Sequence, residues 1–154
     1  MGLAKKILLV VGFLFILIQF IQPDRNKNKQ LLVSDISNSV IIPDSIKYLL
    51  INTCFDCHSN NTNYPLYAYV QPMGWLMYKH IKDGKEKLNF SDFGSYSKRM
   101  QLSLLNGIIN SIKDDKMPLA SYTLLHSKAK LSANEKGILI KWAQKSKDSL
   151  NEKY

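Results

Sequence analysis

The strongest constraint on the fold of this chain is the short stretch Cys-Phe-Asp-Cys-His at residues 54–58. Its two cysteines are the only ones in the 154-residue sequence, and a histidine follows the second one directly. On one turn of helix, cysteines three apart present both sulfur atoms on the same side, within reach of the two vinyl groups of one porphyrin. The stretch therefore predicts one covalently attached haem c, with thioether bonds to Cys54 and Cys57 and with His58 as the proximal iron ligand.

Three other uses of these residues are open from the sequence. A disulfide needs only the two cysteines, whereas a thioredoxin-like redox pair needs a strand-to-helix junction that the sequence does not indicate. A zinc site would need a further ligand from His80 or His126, and it does not explain a histidine next to the second cysteine. Haem accounts for the whole pattern. A haem-ligating histidine also needs an acceptor for its Nδ1 hydrogen, and we expect the Pro65 carbonyl to provide it.

Hydrophobic periodicity after residue 40 predicts an all-α fold. Apolar residues recur at helical spacing in four segments, and no segment alternates over several residues as a strand would. Proline and glycine at the ends of these segments, and serine where capping is needed, indicate where each helix begins or stops. The expected boundaries are Pro43 into Cys54, Pro72 to Gly84, a start at Ser97, and a start at Ser132 with Glu135 as a capping box.

The connection at residues 114–130 is long for so small a domain, so it needs a surface on which to pack. A large apolar cofactor would supply that surface. We therefore expect a small cytochrome c-like helical domain wrapped around one haem and preceded by an N-terminal transmembrane helix.

A charged start followed by an apolar run sets the N-terminus apart from the rest of the chain. Lys5 and Lys6 precede residues 7–21, which are apolar except for Gly12 and Gln19. This pattern is typical of an export signal, but no small residues follow it as a cleavage site, so we expect an uncleaved anchor and keep a cleaved signal as the alternative. The expected organisation is an anchor at 1–22, a polar linker at 23–40, a haem-binding domain at 41–147 and a polar tail at 148–154.

The net charge restricts the classes of partner. With 21 basic and 12 acidic residues the chain carries a formal charge of +9, which favours an acidic protein partner or anionic lipid head groups. The lysines are scattered and no nucleic-acid module is present, so we expect no nucleic acid as a partner. The redox partners themselves are not specified by the sequence.

The second axial ligand of the iron is predicted to be Met117. It stands in Lys-Met-Pro-Leu-Ala, between two predicted helices, and Pro118 keeps it out of a helix. This arrangement resembles that of small class I cytochromes c, in which a loop presents Met-Pro to the haem face opposite the histidine. His126 and His80 are the alternatives.

The match to known proteins extends beyond the triplet. The stretches CFDCHSNNTNYPLYAYVQP, HIKDGKEKLNFSDFGSYS and MPLASYTLLHSKAKLS, followed by Trp142, resemble the bacterial haem-binding domain family of small, membrane-anchored, c-type-cytochrome-like proteins. The resemblance implies haem attachment through Cys54 and Cys57 and ligation by His58. It does not choose among the three candidates for the sixth ligand. The chain departs from the family in having Leu66 where a tryptophan is usual.

We expect a membrane-anchored monohaem cytochrome that transfers single electrons outside the cytoplasmic membrane, and not an enzyme. Haem c is attached after export, which places the haem domain on the periplasmic side. The alternative is a peroxidase-like haem enzyme or a gas or redox sensor, which would need an open or easily displaced sixth site.

Overall fold

The computed structural model describes residues 2–28 and 32–152, and its fold in these ranges is all-α. It has seven α-helices and no strand there, with one isolated antiparallel bridge between Lys27 and Asn61. The all-α prediction is confirmed. Short 3-10 helices at Ile36–Asn38, Leu66–Tyr69, Phe90–Ser95 and Ser127–Ala129 connect the α-helices, which are α1 (Leu3–Gln19), α2 (Asp44–Thr53), α3 (Phe55–His58), α4 (Met73–Lys87), α5 (Lys98–Lys113), α6 (Ala120–Thr123) and α7 (Ala133–Glu152).

Two of the predicted helix starts have the expected caps. The Ser97 hydroxyl accepts a hydrogen bond from the Met100 amide at 3.4 Å at the start of α5. At the start of α7, the Ser132 amide donates to the Glu135 carboxylate at 2.8 Å, and the Glu135 amide donates back to the Ser132 hydroxyl at 3.3 Å. Local side-chain hydrogen bonds therefore fix the first residues of α5 and α7, as the sequence indicates.

The main core forms where α2, α5 and α7 meet. Leu50 of α2, Leu105 of α5 and Leu139 of α7 are each no more than 1% exposed. Trp142, also in α7, is buried and donates its indole hydrogen to the Ile41 carbonyl at 3.0 Å. The indole nitrogen is the one polar atom of the Trp142 side chain, so this hydrogen bond satisfies it completely.

The N-terminal apolar run forms α1, a helix of 17 residues with no buried side chain. In the described part of the chain, residues 2–28 and 32–152, no helix combines the length and the apolar character that crossing a membrane requires. The expected N-terminal transmembrane helix is therefore not found.

The end of α1 is hydrogen-bonded to the rest of the protein through Gln71, a fully buried side chain. The Gln71 amide donates to the Gln19 side chain at 2.8 Å, and its own side-chain amide donates to Gln22 at 3.1 Å. Nearby, the Trp75 indole donates to the Ile21 carbonyl at 2.9 Å. These contacts fix the C-terminal end of α1 against the start of α4.

The segment expected to be a polar linker packs against the domain instead. The Arg25 guanidinium lies over the Tyr64 ring at 4.7 Å and over the Tyr69 ring at 4.2 Å. The Asn26 side chain donates to Ser59 and Thr62, both at 2.8 Å. The attraction between the Arg25 cation and the faces of two aromatic rings stabilises this segment. It explains why a polar sequence is ordered here.

Buried apolar residues also lie in the segments expected to be the linker and the polar tail. Ile36 is 0% exposed and Val40 is 7% exposed, so residues 32–40 contribute to the core. The expected polar tail is the last part of α7, which continues to Glu152 and buries Leu150. Residues 29–31, 153 and 154 of these two predicted segments lie outside the described residues.

Candidate haem site

The Cys-x-x-Cys-His stretch forms one helical turn between α2 and α4. The Cys54 carbonyl accepts hydrogen bonds from the Cys57 amide at 3.2 Å and from the His58 amide at 2.9 Å. Both cysteines are free thiols. The predicted placement of the two cysteines and the histidine on a single turn is confirmed.

Backbone contacts orient the His58 ring. Its Nδ1 lies 3.0 Å from the Leu88 carbonyl oxygen, which can only accept, so the neutral ring donates there from Nδ1–H. Burial is the main cause that lowers the pKa of His58, so the ring is neutral at physiological pH. The Nε2 lone pair is therefore left for a metal, the arrangement that haem iron requires.

The structure gives His58 Leu88 as its acceptor and not Pro65, which the sequence led us to expect. The Pro65 carbonyl accepts instead from the Ala68 amide at 3.0 Å, in the turn that starts the 3-10 helix at Leu66–Tyr69. Leu88 takes the place beside His58 because α4 packs across α3 and ends there. Leu66, where the family usually has tryptophan, is 89% exposed.

A crevice with two chambers opens beside this turn. The larger chamber has a volume of about 330 Å³ and is bordered by Cys54, and the smaller has a volume of about 190 Å³ and is bordered by Cys57. His58 and Met117 line both chambers. The four residues predicted to hold the haem thus lie around one space. Thr53, Lys87 and Pro118 are the other residues shared by the two chambers.

The walls of the crevice fit a large apolar group. Leu104 and Ile108 of α5 and Leu139 of α7 line the larger chamber. Gly107 lies between the α5 residues, and a Cβ atom built on it would meet no atom within 4 Å. A space that a side chain could enter without contact, with two thiols and an imidazole at its edge, suits a haem bound through those groups.

The two thiols are poor nucleophiles in this setting. Burial raises the pKa of Cys54 to about 11 and, with the nearby Asp56 carboxylate, raises the pKa of Cys57 to about 12. A redox-active pair depends on a lowered thiol pKa, so this environment argues against the thioredoxin-like alternative. The free thiols also leave the disulfide alternative without support.

The zinc alternative also lacks support from the geometry. Within residues 2–28 and 32–152 there is no group of three or more His, Cys, Asp and Glu side chains placed to hold a metal ion. Neither His80 nor His126 completes a ligand set with the cysteines and His58.

Met117 is held in the crevice by the backbone that follows α5. The chain turns at Asp115, which has a φ of 55°, and the amides of Lys116 and Met117 both donate to the Ser111 carbonyl, at 2.9 and 3.1 Å. These bonds satisfy the end of α5 and return the chain toward the crevice, where Met117 is half-buried.

The two alternative ligands differ in position. His126 stacks on Tyr122 with ring centroids 3.9 Å apart, and its Nδ1 donates to the Tyr122 carbonyl at 3.0 Å. Its Nε2 accepts from the Tyr67 hydroxyl at 3.3 Å. Both nitrogens of His126 are thus engaged. The described residues that line the crevice include His80, in the smaller chamber, but not His126.

Asp56 and Tyr122 are site residues that the sequence did not indicate. The Tyr122 hydroxyl donates to the Asp56 carboxylate at 2.6 Å, and its ring lines the smaller chamber. Burial, followed by the hydrogen bond to Asp56, raises the pKa of Tyr122, so the phenol keeps its proton. Asp56 was visible between the cysteines, but no local pattern pairs it with a tyrosine 66 residues further on.

The fold and the site together define an all-α haem protein. The sequence profile of the haem-binding domain family matches residues 13–145, and the chain therefore belongs to this family. Comparison of the chain with the curated proteins and with the solved structures found no match. The match confirms the resemblance and shows that the chain carries a haem-binding domain.

Gly84 provides a test of how the attachment turn is supported. A Cβ atom on Gly84 would lie 2.6 Å from the Cys57 carbonyl oxygen, so Gly84→Ala must move α4 away from α3. We expect it to destabilise the protein by about 1–3 kcal/mol and to reduce the yield of haem-loaded protein. Thermal unfolding and haem absorbance per protein measure both effects.

The matched control is Gly137→Ala in α7, where a new Cβ would meet no atom within 4 Å. This change should leave haem loading intact and stabilise the helix by about 0.5–1 kcal/mol. Equal behaviour of the two variants would contradict the role given to Gly84.

Proposed function

We propose that this protein is a monohaem c-type cytochrome that carries single electrons. The observation that supports this function best is that Cys54, Cys57, His58 and Met117 all line one apolar crevice. Two thiols and a neutral imidazole would hold the group, and a thioether in the same crevice would supply a further iron ligand.

Each residue has a definite role in this proposal. When bound, a haem c supplies an iron that changes reversibly between two oxidation states. Cys54 and Cys57 would hold it covalently, and His58, oriented by the Leu88 carbonyl, would bind the iron through Nε2. Met117, which lines the same crevice, would be the further iron ligand and would leave no site for a substrate. The apolar walls exclude water and, like the thioether ligand, favour the reduced form.

A haem enzyme or sensor is the second candidate. His80 lines the smaller chamber beside Met117 and Tyr122, so a polar group stands near the proposed distal side. Met117 also lies in a segment between α5 and α6 rather than on a long helix. If Met117 were displaced, a small ligand such as carbon monoxide or peroxide would gain access to the iron.

We further propose that the haem domain functions on the outer side of the cytoplasmic membrane and that α1 is retained there. Removal of residues up to 22 would leave the fully buried Gln71 without its hydrogen bonds to Gln19 and Gln22. Buried polar groups without partners are costly, so the contacts favour retention. The exposed apolar side chains of α1 suit association with lipid.

An acidic redox protein is the partner class that the charges favour. The net charge is +9, and the exposed Lys87 lies at the border of both chambers of the crevice. A positive charge beside the exposed edge of the site would steer a partner with an acidic surface toward it.

Replacement of Met117 tests the electron-carrier proposal. We expect Met117→Ala to convert a six-coordinate, low-spin haem into a high-spin or weakly ligated one and to lower its reduction potential, because a thioether stabilises reduced iron. The variant should also bind carbon monoxide readily. Absorption spectra and a redox titration of the haem-loaded protein measure these changes.

His126→Ala is the matched control and should leave the spectrum nearly unchanged. A silent Met117→Ala together with a high-spin His80→Ala or His126→Ala would show two histidine ligands. A wild type that is already high-spin and binds carbon monoxide would support the enzyme or sensor instead.

Retention of α1 is tested by the mature N-terminus. We expect protein isolated from its own cells to begin at Met1 or Gly2 and to fractionate with membranes, because Gln71 depends on the end of α1. Intact mass and N-terminal sequencing give the answer. A mature protein that starts near Gln22, or that high salt alone releases from membranes, would contradict the proposal.

A further inference from the structure

Asp56, between the two cysteines, connects the attachment turn to the loop that follows it and to a distant part of the chain. One carboxylate oxygen accepts from the Asn63 amide at 2.8 Å. The other accepts from the Tyr122 hydroxyl at 2.6 Å, a distance that indicates a strong, charge-assisted hydrogen bond. The second of these bonds crosses from the haem-attachment turn to the segment that carries Met117.

Tyr122 is close to Met117 in sequence and in space. It lies in α6, which begins three residues after Met117, and both side chains line the smaller chamber of the crevice. The helix is only four residues long and has no buried side chain. Leu124 and Leu125, which follow it, are 83% and 53% exposed. The segment therefore gains little from hydrophobic burial, and its polar contacts carry more of its positioning.

The other contacts of Tyr122 stay within its own neighbourhood. Its ring stacks on His126, and His126 in turn accepts from the Tyr67 hydroxyl at 3.3 Å. Neither His126 nor Tyr67 belongs to the attachment turn. The hydroxyl of Tyr122 joins the Met117 segment directly to the attachment turn, whereas His126 reaches the neighbourhood of Cys57 only through Tyr67.

We propose that the Asp56–Tyr122 hydrogen bond is a strap that holds the Met117 segment closed over the haem, which makes Asp56 and Tyr122 positioning residues for the distal ligand. The proposal rests on Met117 ligation. A thioether is a weak ligand that leaves the iron whenever its segment opens, so the fraction of open segment sets the apparent affinity for any competing ligand. Tyr122 sets that fraction.

Imidazole is the probe, added to the ferric haem-loaded protein. Tyr122→Phe keeps the ring that lines the crevice and stacks on His126, and it removes only the hydroxyl. We expect the variant to keep a six-coordinate spectrum without imidazole, and to bind imidazole about 10-fold more tightly than the wild type, because a charge-assisted hydrogen bond no longer opposes opening.

Tyr67→Phe is the matched control, since it removes the other hydroxyl of the same cluster and leaves the strap in place. Its imidazole affinity should stay within about twofold of the wild type. If Tyr122→Phe also stays within that range, or if both variants change alike, the strap is overturned.

A double-variant comparison separates the strap from a general loss of stability. Asp56→Ala should tighten imidazole binding as Tyr122→Phe does. The double variant should bind imidazole no more tightly than Asp56→Ala alone, because both changes remove the same Asp56–Tyr122 hydrogen bond. Additive effects would overturn the proposal.

Met117→Ala separates failure of the strap from failure of the proposed function. If it binds imidazole more tightly than every other variant while Tyr122→Phe matches the wild type, the ligand is right and the strap is wrong. If Met117→Ala binds as the wild type does, Met117 is not the ligand, and both proposals fall.

Discussion

The site depends on the close packing of α4 against the single turn that carries Cys57 and His58. Gly84 allows this approach, because any side chain there would collide with the Cys57 carbonyl. The approach brings the Leu88 carbonyl to 3.0 Å from Nδ1 of His58. One contact between two helices thus sets the tautomer of His58 and the direction of its Nε2 atom. Without that contact, a porphyrin held by the two thiols would lack an oriented ligand for its iron.

The rest of the helical domain completes the space that this turn begins. α5 has apolar side chains on two adjacent faces: Leu105 and Ile109 enter the core, whereas Leu104 and Ile108 line the crevice. A helix with so wide an apolar surface is stable in water only when both faces are covered. A bound haem would cover the second face, and it would explain why Gly107 faces open space between them.

The sequence predicted the features that arise within a few residues of each other. The turn of Cys54 to His58 and the cap at Ser132 depend on local spacing, and both are present. The Leu88 contact and the packing of Arg25 between two tyrosines join residues that are far apart in the chain, so local patterns could not indicate them. Sequence reasoning therefore indicated the residues of the attachment turn, but not the residues that hold that turn in place.

Covalent attachment is the claim on which the whole account depends, and mass measurement tests it most directly. The protein should be made together with a cytochrome c maturation system, extracted with acidified acetone and weighed intact. The account predicts that the chain retains the mass of one haem, and that the Cys54→Ala, Cys57→Ala double variant does not. A wild-type chain that loses its haem on extraction, or never carries one, would contradict the account.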